Sequence, residues 1–165
     1  MEDTILTIRN MLRTNWTLAS PLQYPVAGDK RTGVPIETVM TEAVRPLHYP
    51  TVEVKNNSKT SKPLSSNWWQ VDHWVDVHIW ARAQTFNNDD IEAAKADRNK
   101  MRDEVERIIH VNDTNTLKND AGAFISSYLW LEGSVPKDMI DKEEGVEYPV
   151  IHEITTFHAR YVHGK

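Results

Sequence analysis

Between Trp68 and Arg82 the sequence WWQVDHWVDVHIWAR alternates two kinds of residue without a break. One set is Trp69, Val71, His73, Val75, Val77, Ile79 and Ala81. The other is Trp68, Gln70, Asp72, Trp74, Asp76, His78, Trp80 and Arg82. Successive strand side chains point to opposite faces, so a period of two over this length specifies one long strand. Its first set makes a core face and its second a mixed face. The rest of the chain has to be arranged around that strand.

The next constraint is a helix. Asp89 and Glu92 form a capping pair, and Ile91, Ala94, Met101, Val105 and Ile108 follow at helical spacing, with Arg98 between them and Ile109 widening the stripe. Glu92, Lys95, Asp97, Lys100, Arg102, Asp103, Glu104 and Glu106 cover the remaining surface, which predicts a long amphipathic helix to about His110. A shorter one opens the chain, capped by Asp3 or Thr4, with Ile5, Ile8, Leu12 and Trp16 on one face. Ser20-Pro21 ends it, because proline drives the preceding residue out of the α region.

Residues 21–50 hold five of the eight prolines, which forbids a regular helix and disfavours a central strand. Val34 to Val44 is a candidate short edge strand, and the segment as a whole reads as an arm or surface loop. Pro50 to Lys55 alternates as a strand, and the polar run Asn56–Pro63 reads as a hairpin loop. Phe124 to Glu132 sets Ile125, Leu129 and Leu131 against Phe124, Tyr128 and Trp130. The acidic stretch Gly133–Pro149 reads as a long loop, and Val150 to His163 is a last strand beside Trp68–Arg82. The expected fold is one α+β domain over residues 1–165: a small mixed, mostly antiparallel sheet, a short N-terminal helix, and one long amphipathic helix packed on one face.

Apolar residues make up 39% of the chain, which is low, yet there are six Trp, five Tyr and three Phe. A few large side chains must therefore supply much of the burial. That pattern suits either a thin, one-sided sheet or, the reading preferred, a subunit that completes its core against neighbours. The formal net charge of −5 argues against a basic nucleic-acid-binding face, though not against a channel through which a duplex passes. There is no cysteine, hence no disulfide and no thiolate ligand. MEDTILTIRN has no signal-peptide pattern, and no stretch approaches the roughly 20 apolar residues of a membrane span. A soluble protein made in the cytoplasm is expected.

No catalytic or cofactor-binding signature is legible. His73 and His78 point to opposite faces of one strand, and His152 and His158 lie ~20 Å apart along another. Neither H-E-x-x-H nor H-x-H occurs. There is no G-x-S-x-G elbow, P-loop or G-x-G-x-x-G. Asp89-Asp90 caps a helix and Glu143-Glu144 falls in the acidic stretch. The expectation is no enzyme, no metal and no cofactor. The alternative is a small ligand- or metal-binding domain, or an enzyme, using surface histidines such as His78 and His152.

The mixed face is more informative. Trp68, Trp74, Trp80, Tyr128 and Trp130 line up on it, interleaved with Asp76, His78 and Arg82. Large exposed apolar patches mark contact sites, and aromatic anchors among polar groups characterise interfaces. These eight residues are the candidate subunit interface. The competing arrangement is that the proline-rich segment or the first helix folds over them within one chain.

Read together, the short helix Ile5–Trp16, the strand PTVEV, the strand WWQVDHWVDVHIWARA, the helix DDIEAAKADRNKMRDEVERII, the strand FISSYLWLEG and the final EITTFHARYVHGK resemble the tail terminator and tail completion proteins of long-tailed bacterial and archaeal viruses. The resemblance is one of element order over nearly the whole chain, with the long proline-rich stretch as a departure. It implies a homo-oligomeric ring, commonly hexameric, that caps the tail tube and joins it to the neck beneath the head connector. It implies no catalysis, residence in the virion, and DNA only as a passing duplex. Asp138, Asp141, Glu143, Glu144 and Glu147 would then form an acidic loop suited to face such a channel, unless they are simply solvated.

Overall fold

The computed structural model describes residues 4–18, 36–38, 49–114, 116–117, 127–143 and 146–164, with the backbone alone at 36–38, 139–143 and 146–147. Most of the proline-rich segment, Phe124, Ile125 and Glu144 lie outside the described residues.

The architecture grows from the predicted central strand, β3, which runs Trp68–Arg82. It pairs antiparallel on one side with β2 (Thr51–Pro63) and on the other with β6 (Val146–Gly164). The sheet order is β1-β2-β3-β6-β4, where β1 is Ile36–Thr38 and β4 is Ser127–Pro136. A short β5, Met139–Glu143, folds back on the start of β6. Among the described residues only the β1–β2 pair is parallel, so the sheet is mixed and mostly antiparallel, and the chain is α+β.

Helix α1, Thr4–Asn15, and helix α2, Asn88–Val111, complete the set. Asn87 is the N-cap of α2, two residues before the expected cap Asp89: its side chain accepts from the Asp89 N–H at 3.1 Å. The apolar stripe of α2 lies on the odd-numbered face of β3. One core joins Ile8, Met11 and Leu12 of α1 to Val75, Val77 and Ile79 of β3, Met101, Val105 and Ile108 of α2, and Phe157 and Ala159 of β6. Trp16 and Ile91 pack at its margin.

Glu104 departs from its expected place on the solvent side of α2: it is buried. Its Oε1 accepts from the Thr17 N–H at 2.7 Å and the Thr17 hydroxyl at 2.8 Å, while Arg107 grips its Oε2 at 2.8 Å. Arg107 also donates to the Asn15 carbonyl at 2.9 Å, so one residue of α2 satisfies an orphan carbonyl at the end of α1. The carboxylate is thus the clamp between the helices.

Two expected loops are strands. The polar run Asn56–Pro63 continues β2 against β3 to Pro63–Trp69, with an irregularity between Asn56 and Ser58. Its side chains are exposed on both faces, so apolar periodicity carries no trace of it. The ladder with β3 specifies it instead. The acidic stretch is likewise a hairpin: β4 extends to Pro136, and Asp141, Lys142 and Glu143 pair with Tyr148, Glu147 and Val146. Among the described residues no helix is long and apolar enough to cross a membrane.

Candidate functional site

With α2 on the odd-numbered face, the even-numbered residues of β3 form the outer face. The antiparallel register sets Asp72, Trp74, Asp76, His78 and Trp80 beside Arg160, His158, Thr156, Ile154 and His152 of β6. On the far side of β6, Tyr128 and Trp130 stand beside Arg160 and His158. The candidate interface residues therefore share one surface, but that surface divides into two halves of different character.

The first half is closed within the chain. Trp80 is only 6% exposed; its ring lies flat on His152, with centroids 3.6 Å apart and planes at 4°, and its indole N–H donates to Glu53 at 3.1 Å. Lys55 neutralises the same Glu53 oxygen at 3.0 Å. His78 Nδ1 lies 3.1 Å from His152 Nε2, so the imidazoles share one hydrogen bond. Burial pushes His78 down to about 4, with the Lys55 charge adding to the effect and Asp76 opposing it. Burial pushes His152 down to about 3, helped by His78, Lys55 and Lys137. Both rings are neutral at pH 7 by these values, so one donates its N–H to the bare ring nitrogen of the other. Trp80 was expected at a subunit interface. Its polar atom and its flat face are both satisfied inside one chain.

Arg82 stands at the end of this half, exposed, with its guanidinium 4.5 Å from the Tyr148 ring centroid and 5.4 Å from that of Tyr49. Asp76 marks the boundary: it accepts from Asn57 Nδ2 at 3.1 Å and from the Thr156 hydroxyl at 2.6 Å.

The second half is open. Trp74 and Trp130 hold His158 between them, with ring centroids at 4.2 and 4.1 Å. His158 Nε2 meets Asp72 at 2.8 Å and Nδ1 meets Glu132 at 3.0 Å, which fixes the imidazole in its slot. The Trp130 indole also donates to Glu132, and Arg160 binds Asp72 at 2.6 Å while lying over the Trp130 ring. Burial pulls the Asp72 carboxyl upward, but hydrogen bonds from Gln70, Arg160 and His158 outweigh it and hold the group below its ordinary value. Around this rigid centre Trp68 is 53% exposed, Tyr128 55% and Trp130 36%.

The histidines that sequence spacing could not connect are joined by strand pairing. His78 and His152 meet because β3 and β6 are antiparallel neighbours, and His158 gains its carboxylates from β3 and β4. A sequence signal existed for neither, since register fixes both. Among the described residues no three histidine or acidic side chains cluster as a metal site would require.

The acidic residues do not form one loop. Asp138 is anchored: its Oδ1 takes Arg98 Nη1 at 3.0 Å and the His152 backbone N–H at 3.0 Å. Asp141 and Glu143 stand on β5 and Glu147 on β6, in paired strands, while Glu144 lies outside the described residues.

Neither a protein-family model nor a curated protein matches the chain.

Proposed function

We propose that this chain is a non-enzymatic structural subunit of a viral tail or neck, acting as a homo-oligomeric ring that caps the tail tube and joins it to the head connector. The observation that carries this reading is the open half of the outer face. Trp68, Tyr128 and Trp130 are exposed together around a centre already locked by Trp74, His158, Asp72 and Glu132. A prearranged aromatic surface costs little side-chain entropy to bury, which is what a repeated protein–protein contact needs. The element order, with its resemblance to tail terminator proteins, supplies the particular assembly. The acidic balance suits a passage through which duplex DNA moves without sticking.

Electron microscopy of the purified protein, alone and mixed with tail tubes of the same virus, tests the reading. Rings, and caps at one tube end, are the expected images. A protein that stays monomeric and never binds a tube end would refute it.

A further inference from the structure

The two edges of the sheet differ in charge. Among the described residues β1 covers β2 only at Val52–Val54, so β2 beyond Lys55 is paired on its β3 side alone. That stretch carries Lys59 and Lys62, both exposed. Leu64 follows at the turn and is 52% exposed.

At the opposite edge, β4 is touched on its outer side only near its start, by the Thr114–Tyr128 bridge and the Leu129 N–H to Asp113 carbonyl bond at 2.7 Å. Beyond that, among the described residues, its outer side has no partner. Between β4 and the last turns of α2 runs a groove of about 630 Å³. Leu129, Leu131 and Phe157 form its floor, and Asp103, Glu106 and Asp113 stand on its walls. Arg107 is on the same wall but is committed to Glu104, and Asp103 is held by Arg102 at 2.8 Å, which leaves Glu106 and Asp113 as the acid surplus beside His110.

We infer that the Ser58–Pro63 edge of one copy, unpaired on its outer side among the described residues, docks on the β4 edge and groove of the next. This rests on the ring reading above and specifies which surfaces meet. An unpaired strand edge is a template for another strand, and main-chain pairing supplies affinity while side chains select the partner. A lysine is well suited to this groove: its aliphatic stem lies on Leu129 and Leu131 while its ammonium reaches Glu106 or Asp113. A second copy supplies such a lysine on an edge of matching type: Lys59 stands beside His73 on the face that α2 covers, whereas Lys62 stands beside Gln70 on the opposite face. Because the two surfaces are different, the contact is head-to-tail, and a head-to-tail contact closes into a ring when its rotation allows. Pairing also removes both exposed edges at once, which a free monomer would have to protect by other means.

The test is charge reversal and its rescue in the full chain, read by analytical ultracentrifugation with circular dichroism as the check on folding. K59E alters one exposed residue only, so the fold should persist while the assembly falls to the 19.0 kDa monomer. Adding D113K to that chain should restore the assembly to at least half its original mass fraction. Assembly indifferent to K59E, or a D113K that rescues nothing, overturns the edge pairing and leaves the ring reading intact. An unaltered protein that is monomeric at every concentration removes both.

Discussion

Trp80 and Glu53, on neighbouring strands, are joined by an indole hydrogen bond of 3.1 Å in a buried pocket, and Lys55 closes the same carboxylate. A buried carboxylate is tolerable only when its charge and lone pairs are met. Trp80 thus serves the fold in two ways, by covering His152 and by satisfying Glu53.

Replacing it should therefore damage the monomer. Trp80→Ala is expected to cost about 3–5 kcal/mol in denaturant unfolding, the usual range for a large aromatic removed from a core. Trp80→Phe keeps most of the apolar area but strands one Glu53 acceptor, and should cost about 1–3 kcal/mol. A Trp80→Ala protein as stable as its parent would return Trp80 to the list of assembly residues.

The open half predicts the reverse behaviour. Trp68→Ser with Tyr128→Ser changes two exposed side chains and should shift unfolding by no more than about 0.5 kcal/mol per site. Self-association measured by light scattering should nevertheless weaken at least tenfold. Association unchanged, with stability unchanged, would show this rim to be idle.

The His78–His152 pair makes stability depend on pH. Both rings have folded-state values below the ordinary 6.5, so the unfolded chain takes up protons first as pH falls. The stability they contribute is whole above about pH 6.5 and drains as pH drops towards about 4 for His78 and about 3 for His152, with a slope of up to about 1.4 kcal/mol per pH unit for each ring. Urea unfolding at a series of pH values should show that decline. His152→Gln should flatten it. An equal slope in the variant would exclude this pair as its source.

Glu104 acts in a lower window. The Arg107 hydrogen bonds, opposed by burial and aided by Thr17, hold its carboxyl down to about 2. Its contribution is complete above the ordinary carboxylate value of 4.5 and is lost as pH falls from there towards about 2. Glu104→Gln should loosen α1 from α2 at neutral pH, seen as faster amide exchange over Ile5–Leu12, and should remove this acid limb from the stability profile. Exchange in α1 that does not change would show the clamp to be unimportant.

How far the sequence speaks depends on where each feature is encoded. The β3 alternation and the α2 stripe lie in the local pattern, so those elements and the inner face of the sheet were legible. The polar half of β2 and the acidic hairpin Met139–Glu143 were not, because their ladders are fixed by partners distant in sequence. For the same reason the row of tryptophans could be placed on one face but not divided. Trp80 and Trp68 occupy equivalent positions in the alternation. Their different burial, 6% against 53%, follows from what β2 and β6 put beside each: Glu53 and His152 beside one, Gly164 beside the other. The local pattern places Glu104 towards solvent, where a charged residue flanking an apolar stripe normally stands, and only Thr17, just past α1, gives it a reason to be inside.

That the open flank belongs to sister molecules can be checked with a single spectrum. Native mass spectrometry of the purified, unmodified protein at micromolar concentration should give a discrete multiple of 19.0 kDa, one closed species rather than a ladder of sizes. A spectrum holding only the single-chain mass, unchanged as concentration rises, would contradict the account.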